Sequence, residues 1–268
     1  MDKKIGFIGC GKMGQAILSG IMSSGITSQQ QVIVSTRSTT TMKKVQELYQ
    51  VNTTLSNMDV VSFADIVFLA VKPDEYASIL KEIKPSLKKN SILISIAAGV
   101  TLKDMEQAVG QTVKLVRTMP NTPAFVQEGM TVFCSNDKVS DHELETVSEI
   151  LQSFGRTEVI SEVLMDSIPA ISGSSPAYVY MFIEALADGG VLQGIPREQA
   201  YRLAAQAVLG AAKMVLDSGE HPGVLKDQVC TPGGATIEAV AELEKNHFRS
   251  SVIQAMERCT RKTKGIGS

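Results

Sequence analysis

The hydrophobic pattern of this chain changes its period once, near Glu162. Before that residue, short apolar runs alternate with amphipathic stretches, which is typical of a mostly parallel sheet with helices on both faces. After it, the strand signals stop and only helical patterns follow. The sequence therefore predicts an α/β domain over residues 1–163 and an all-α domain over residues 164–268.

The same patterns place the individual elements. The predicted strands are Ile5–Ile8, Val32–Ser35, Ile66–Val71, Ile92–Ile96, Val113–Thr118, Thr131–Cys134 and Thr157–Ile160. The predicted helices are Met13–Ser24, Thr41–Tyr49, Tyr76–Lys84, Leu102–Val109, His142–Phe154, Asp166–Ser172, Pro176–Gln193, Pro196–Ser218 and Thr236–Lys262.

Composition argues against several classes of function. A formal net charge of −2 disfavours a general nucleic-acid-binding protein, which would be basic. The four cysteines lack the close paired spacing of a zinc site or a disulfide framework, so we expect free thiols and no metal. The most apolar stretch, Ala177–Ile195, is interrupted by Glu184 and Asp188 and is a poor membrane span. Because the N-terminus also lacks the features of a signal peptide, we expect a cytoplasmic protein without a membrane partner.

The second domain has too little polar surface for a small helical domain that stands alone. Its segment LAAQAVLGAA, residues 203–212, contains one polar residue, Gln206. A helix that is apolar on all sides is normally buried on all sides. A homodimer that intertwines these helices would supply the missing cover. The alternative is a locally alanine-rich helix in a monomer.

A glycine-rich turn joins the first predicted strand to the first predicted helix and fits the pattern G-x-G-x-x-G. In that pattern the first glycine permits a tight turn, the second lets a pyrophosphate approach the backbone, and the third allows close helix–strand packing. The residues concerned are Ile8, Gly9, Cys10, Gly11, Lys12, Met13 and Gly14. The context favours a dinucleotide-binding Rossmann domain over a structural turn without a ligand.

The residues at the end of the second predicted strand indicate whether NAD or NADP is bound. A site for NAD usually has an acidic residue there to hold both ribose hydroxyls. This chain reads Ser35-Thr36-Arg37-Ser38, which offers hydroxyls and a positive charge to a 2′-phosphate. We therefore expect NADPH as the preferred cofactor. The alternative is that Arg37 is a solvated surface residue and that NADH is also accepted.

Three further turns follow predicted strands, where ligands of open α/β sheets bind. The first two should border the cofactor: Ala70, Val71, Lys72 and Pro73, then Ile96, Ala97 and Ala98. Lys72 is either a proton donor or a simple surface charge, and we favour the latter. In the third turn, between two prolines, Asn121 is either an amide contact to a ligand or part of a rigid wall.

The segment KDQVCTPGGATIEAV, residues 226–240, contains a second glycine turn that opens onto a helix. Pro232, Gly233 and Gly234 cannot form helix interior, and a helical pattern begins at Thr236. The free backbone N–H groups of such a helix start, beside Thr231 and Thr236, suit a small anion such as a carboxylate.

Together these segments resemble pyrroline-5-carboxylate reductases. The segments that carry the resemblance are FIGCGKMG (7–14), AVKP (70–73), SIAAG (95–99), RTMPNTP (117–123), SGSSPAY (172–178), ADGGVLQGIPREQAYRLAAQAVLGAA (187–212) and KDQVCTPGGATIEAV (226–240). The resemblance implies an N-terminal Rossmann domain, an α-helical C-terminal dimerisation domain, and NAD(P)H-dependent reduction of L-1-pyrroline-5-carboxylate to L-proline. It also implies dimers or rings of dimers, with the active site between helices of two subunits.

The resemblance carries residue roles over by motif. It implies that Thr36 and Asn57 contact the cofactor together with the turns named above. The substrate carboxylate is expected at Thr231 and at the backbone N–H groups of Gly234, Ala235 and Thr236, and the Thr236 hydroxyl at the ring nitrogen. One departure is Ser175, because many relatives read GSGPAY where this chain reads GSSPAY. A serine there puts a positive φ in doubt.

Two other functions remain as alternatives. A β-hydroxyacid dehydrogenase of similar architecture would need a lysine acid/base on the first long helix of the second domain, and Pro176–Gln193 contains none. A nucleotide-binding regulatory or lipid-surface protein that has kept the fold without catalysis would have no use for the second glycine turn. That turn has no obvious dedicated acid, so we expect the imine to bind already protonated, with Thr236 orienting its nitrogen or relaying a proton from water.

Overall fold

A computed structural model of the protein describes residues 2–265. Within them, eight strands form one sheet in the order β3-β2-β1-β4-β5-β6-β7-β8. All neighbours are parallel except β6 and β7, which are antiparallel. The strands are β1 (Ile5–Ile8), β2 (Val32–Ser35), β3 (Asn52–Thr54), β4 (Ile66–Leu69), β5 (Ile92–Ser95), β6 (Lys114–Met119), β7 (Gly129–Ser135) and β8 (Gly155–Val159).

Among the described residues, six α-helices accompany this sheet, and five α-helices follow it. The first six are α1 (Lys12–Ser24), α2 (Thr39–Tyr49), α3 (Asn57–Phe63), α4 (Tyr76–Ile83), α5 (Leu102–Val109) and α6 (Asp141–Gln152). The others are α7 (Ser175–Leu192), α8 (Arg197–Ser218), α9 (Pro222–Val229), α10 (Ala235–Lys245) and α11 (Phe248–Thr263).

Both faces of the sheet are buried, as expected for strands that read as continuous apolar runs. On one face Phe7 and Phe68 stack with ring centroids 4.9 Å apart, in a cluster that includes Ile17 of α1 and Ile150 of α6. The cluster on the other face contains side chains of α3, α4 and α5, such as Leu80. This is the layer arrangement that a doubly covered parallel sheet requires.

The structure differs from the predicted elements in the second half and at one edge of the sheet. The strand β3 and the helix α3 were not predicted, because Asn52–Thr54 is short and polar. The helix α9 was also missed; its first turn is capped by the His221 ring, which accepts the Gly223 N–H at 3.0 Å. The predicted helix Asp166–Ser172 is a 3-10 helix, Glu162–Ser167, followed by a π-helical turn.

A single helix over Thr236–Lys262 was a wrong prediction. The chain forms α10 and α11 instead, separated by Asn246 and His247. His247 has φ 59°, a left-handed conformation that ends a helix. Hydrophobic periodicity alone did not show the break, since the apolar pattern resumes directly after it.

The chain divides into two compact units. One comprises the described residues up to Ser174 together with those from Thr260, and the other is Ser175–Cys259. Residues 164–174 thus belong with the sheet, where Met165 is fully buried and Asp166 pairs with Arg117 at 2.6 Å. The predicted domain boundary, between residues 163 and 164, remains a prediction, and it differs from the division of the two compact units at Ser174. Ser175 begins α7 without a positive φ, so the serine causes no backbone strain there.

The second unit buries little of its own apolar surface. Its buried hydrophobic residues, among those described, are Ala187, Ala200 and Ala204. Large side chains of α7 and α8 are exposed in the single chain, including Met181 at 70% and Leu203 at 60%. An exposed apolar surface of this extent marks an interaction face. Within the described part of the chain, no helix combines the length and the apolar character needed to cross a membrane.

Candidate active site

The first glycine turn closes β1 against β4. Gly9 has φ +81°, and a Cβ built on it would lie 2.7 Å from the carbonyl oxygen of Ala70. Its N–H donates to the Ser35 carbonyl at 3.0 Å, which ties the turn to the end of β2. Only glycine combines this conformation with this close approach, so the turn has the tight shape that the sequence predicts.

The other two glycines of the turn have different surroundings. Gly11 precedes α1 with φ −69°, and a Cβ on it would meet no atom within 4 Å. The backbone at Gly11 is therefore open, and no side chain caps α1. Gly14 packs on β4, because its Cβ would lie 3.0 Å from that of Ala70. An open glycine at an uncapped helix start is the cradle that a pyrophosphate needs, so these residues fit a dinucleotide.

The turn opens onto a cleft of about 940 Å³ at the carboxyl ends of β1, β2, β4 and β5. Most of the predicted cofactor residues line it: Ile8, Gly9, Cys10, Gly11, Met13, Gly14, Thr36, Arg37, Asn57, Ala70, Val71, Lys72, Pro73, Ile96, Ala97 and Ala98. Ser35 and Ser38, whose hydroxyls the sequence offered to a 2′-phosphate, also line it. The prediction did not include six further lining residues: Thr41, Leu55, Glu75, Ser78, Ile79 and Glu82.

Two predicted cofactor residues, Lys12 and Asn121, do not line the cleft. Lys12 is exposed at the start of α1. Asn121 is buried and holds the chain together: its amide donates to the Ser172 carbonyl at 3.0 Å, and its oxygen accepts the Met130 N–H at 2.8 Å. The position of Asn121 favours the rigid-wall alternative over a ligand contact.

Polar contacts order the cleft wall at the end of β2. The Ser35 hydroxyl donates to the Asn57 side chain at 2.7 Å, and the Asn57 amide donates to Glu82 at 3.1 Å. The Arg37 guanidinium forms an ion pair with Glu75, which follows the AVKP turn. The six lining residues from Thr41 to Glu82 left no local signal, because they come from helix and turn positions that only tertiary packing brings here.

Buried hydroxyl groups hold the ends of β4 and β5 together. The Tyr76 hydroxyl donates to the Leu69 carbonyl at 2.6 Å and accepts from the Ser95 hydroxyl at 3.1 Å. Burial raises the pKa of Tyr76 to about 12. This neutral network anchors the strand ends from which the AVKP and SIAAG turns project into the cleft.

Cys10 is the one cysteine of the glycine turn, and its thiol is buried. Burial in apolar surroundings raises the pKa of Cys10 to about 12. The group is thus a neutral thiol at physiological pH and an inert part of the turn. Among the described residues no cluster of side chains suits a metal ion.

The second glycine turn lies in the helical unit and leads into α10. Gly233 has φ +68°, and the Gly234 N–H donates to the Thr231 carbonyl at 3.0 Å. A Cβ on Gly234 would fall on the Thr231 hydroxyl. Thr231 therefore folds back over the turn, and glycine at position 234 leaves room for its side chain.

The first turn of α10 has free donors. No side chain caps the helix, and the first N–H groups of any α-helix lack partners within it. Because the Gly234 N–H is already used, the donors available to an anion are those of Ala235 and Thr236. Thr236 is half-buried, and within residues 2–265 its hydroxyl has no hydrogen-bond partner. The arrangement can bind a carboxylate and present one hydroxyl beside it.

Sequence relatives of the chain include pyrroline-5-carboxylate reductases. The chain is 51% identical over 266 residues to the pyrroline-5-carboxylate reductase of Escherichia coli K12, covering 99% of each chain. The family model for pyrroline-5-carboxylate reductase dimerisation matches residues 162–266. The model described as NADP oxidoreductase coenzyme F420-dependent matches residues 4–99.

Solved structures agree with the sequence relatives. The Plasmodium falciparum pyrroline carboxylate reductase with NADP bound has a TM-score of 0.88 at 38% identity, covering 100% of this chain and 99% of that one. The Coxiella burnetii pyrroline-5-carboxylate reductase has a TM-score of 0.92 at 33% identity and 100% coverage of both chains.

These likenesses confirm the predicted fold class, an α/β Rossmann domain followed by a helical dimerisation domain, and with it an oxidoreductase that forms homo-oligomers. The predicted resemblance extends over nearly the full length of the relatives. The two glycine turns, one opening on the cleft and one on α10, lie within the segments that carry the resemblance. The protein belongs to the pyrroline-5-carboxylate reductase family.

Proposed function

We propose that this protein reduces L-1-pyrroline-5-carboxylate to L-proline with NADPH, as the last step of proline biosynthesis. The observation that carries the proposal is the pair of glycine turns, each with free donors at a helix start. The relative from Escherichia coli, which is 51% identical to this chain, is named for the same reaction, as a pyrroline-5-carboxylate reductase.

The substrate is a cyclic imine with a carboxylate, and the second glycine turn matches that chemistry. The carboxylate accepts from the N–H groups of Ala235 and Thr236 at the positive end of α10, with the Thr231 hydroxyl beside it. Anchoring the carboxylate fixes the orientation of the ring, which accounts for a large part of catalysis in reactions that need little acid–base assistance.

The Thr236 hydroxyl is the group placed to contact the ring nitrogen. When bound, NADPH supplies the hydride that reduces the imine carbon. No ionisable side chain lies in Thr231–Thr236, so the chain offers no dedicated acid in this turn. Thr236 therefore orients a nitrogen that arrives protonated, or relays a proton to it from water.

NADPH is preferred over NADH because of the charge at the end of β2. Arg37 and the hydroxyls of Thr36, Ser38 and Thr41 lie on the cleft wall where a 2′-phosphate would be recognised. A guanidinium and hydroxyl donors bind a phosphate more strongly than a ribose hydroxyl. NADH remains a weaker alternative.

The helices of the second unit form the subunit interface. Exposed side chains of α7 and α8, such as Met181 and Leu203, become buried in a homodimer. A ring of such dimers is the higher assembly we propose. Because no disulfide links the four cysteines among the described residues, the protein suits a reducing compartment, and we place the reaction in the cytoplasm.

The decisive experiment follows the loss of NADPH absorbance after pyrroline-5-carboxylate is added to the purified protein. We expect rapid oxidation and formation of proline. A β-hydroxyacid with NADP serves as the control for the alternative dehydrogenase, and it should give no turnover. A protein that binds NADPH but neither oxidises it with pyrroline-5-carboxylate nor reduces NADP with the β-hydroxyacid would be a nucleotide-binding protein without this activity.

A further inference from the structure

Arg37 has a competing partner within the cleft. Its guanidinium forms an ion pair with the Glu75 carboxylate, although 38 residues separate the two in sequence. The Arg37 side chain is 80% exposed, whereas that of Glu75 is 23% exposed. Both residues line the cleft. The cation that should recognise a 2′-phosphate is thus already neutralised by a carboxylate of the same chain.

Glu75 is the positioned member of this pair. Its carboxylate accepts the backbone N–H of Lys72 at 3.3 Å, which fixes it against the turn that precedes α4. Arg37, by contrast, lies on the exposed segment between β2 and α2, and its guanidinium extends from there to the Glu75 carboxylate. The AVKP turn and the end of β2 are therefore linked through a charge pair at the ribose end of the cleft.

The other charged residues of the cleft wall single out Glu75 as the acid that competes for Arg37. The charged side chains among the described lining residues are Arg37, Lys72, Glu75 and Glu82, so the acids and bases are equal in number. Glu82 accepts from the Asn57 amide instead. Of the two acids, Glu75 is thus the one paired with the phosphate-recognising arginine.

We propose that Glu75 is a specificity-determining residue that competes with the cofactor's 2′-phosphate for Arg37 and so limits the preference for NADPH over NADH. A 2′-phosphate must displace the carboxylate from Arg37 and then lies close to an unpaired negative charge. A 2′-hydroxyl leaves the ion pair in place. Glu75 therefore weakens the binding of NADPH and leaves that of NADH unchanged. This inference rests on the proposed use of NADPH.

The test compares wild type, Glu75→Gln, Arg37→Ala and the double variant. Glutamine keeps the size of the side chain and can still accept the Lys72 N–H. Steady-state KM and kcat are measured for NADPH and NADH at saturating pyrroline-5-carboxylate. We expect Glu75→Gln to lower KM for NADPH by about two- to fivefold, the range of exposed ion pairs. KM for NADH and kcat for both cofactors should stay within twofold, roughly the scatter of such measurements.

The variants distinguish competition from a general loss of negative charge. In the Arg37→Ala background, Glu75→Gln should change KM for NADPH by less than it does in wild type. Glu82→Gln is the matched charge control, and it should not reproduce the effect. The proposal is overturned if KM for NADPH falls as much for Glu75→Gln in the Arg37→Ala background, or for Glu82→Gln, as it does for Glu75→Gln in wild type. It is also overturned if Glu75→Gln changes KM equally for NADPH and NADH.

A binding measurement separates this inference from the proposed activity. Calorimetric titration with 2′,5′-ADP and with 5′-AMP requires no substrate and no turnover. Glu75→Gln should tighten 2′,5′-ADP alone, and an unchanged affinity overturns the inference. If the fragments behave as expected while pyrroline-5-carboxylate is not reduced, then the proposed function fails and the role of Glu75 stands. Melting temperatures of the variants confirm that each is folded.

Discussion

Gly9 approaches β4 so closely that any side chain at position 9 would place its Cβ 2.7 Å from the carbonyl oxygen of Ala70. The same residue has φ +81°. Two independent constraints, one steric and one conformational, thus require glycine at this point of the turn. The neighbouring Gly11 has neither constraint, and this contrast provides a matched pair of variants.

Gly9→Ala should destabilise the protein and abolish tight cofactor binding. A left-handed conformation for alanine costs about 1–2 kcal/mol, and the contact with Ala70 adds to it. Gly11→Ala should leave the free energy of unfolding within about 0.5 kcal/mol of wild type, because its Cβ points into open space. It should nevertheless weaken NADPH binding, since that space is the proposed pyrophosphate cradle. Urea denaturation and NADPH titration measure the two effects, and equal destabilisation by both variants would contradict this assignment.

Removal of the Thr236 hydroxyl should lower the rate of imine reduction. Thr236→Ala loses one hydrogen bond to the ring nitrogen, which is worth about 1 kcal/mol or more in transition-state binding, so kcat/KM should fall at least about fivefold. Thr236→Ser keeps the hydroxyl and should retain most of the activity. The affinity for NADPH should not change in either variant. If Thr236→Ala keeps the full kcat/KM, then the hydroxyl has no role in the reaction.

The stability of the protein should depend on the acidic partner of the buried Arg117. Its side chain is 1% exposed and pairs with Asp166 at 2.6 Å and with Glu162 at 3.4 Å. Asp166→Ala leaves a buried cation poorly compensated and should lower the free energy of unfolding by about 2 kcal/mol, less than for a fully buried pair because Asp166 is part-exposed. Arg117→Met removes the buried charge itself and should cost less. Chemical denaturation of both variants compares them, and a larger loss for Arg117→Met than for Asp166→Ala would contradict the prediction.

Cys10 should resist alkylation in the native protein. With a pKa of about 12 instead of 9.0, about one part in a thousand is thiolate at pH 9, where an ordinary thiol is half ionised. Because the pKa is raised, the thiolate fraction should become substantial only at a pH well above 9. Mass spectrometry after iodoacetamide treatment should find Cys230 modified well before Cys10. Rapid modification of Cys10 at pH 8 would show that the thiol is accessible and ionised.

Local sequence was sufficient for the apolar strands of the sheet and for the first glycine turn, but not for the short polar strand β3. The strands β1 and β2 have the predicted bounds, because their apolar runs are buried on both faces and end at polar or glycine residues. The residues Gly9–Gly14 could be assigned because a strand, a turn and a helix follow one another in sequence. The second turn was recognised because a proline and two glycines directly precede the helical pattern of α10.

Contacts between distant residues required the tertiary structure. The sequence left Asn121 open between a ligand contact and part of a rigid wall, and only the tertiary structure shows its amide bonded to Ser172, 51 residues away. Glu75 carried no signal in sequence, since its pairing with Arg37 arises only because the ends of β2 and β4 lie at the same edge of the sheet. Periodicity and motif are short-range properties of the chain and determined the fold class and the two turns. Which charges meet across the cleft was decided by the packing of the strands, because pairing over long sequence separations depends on the whole sheet.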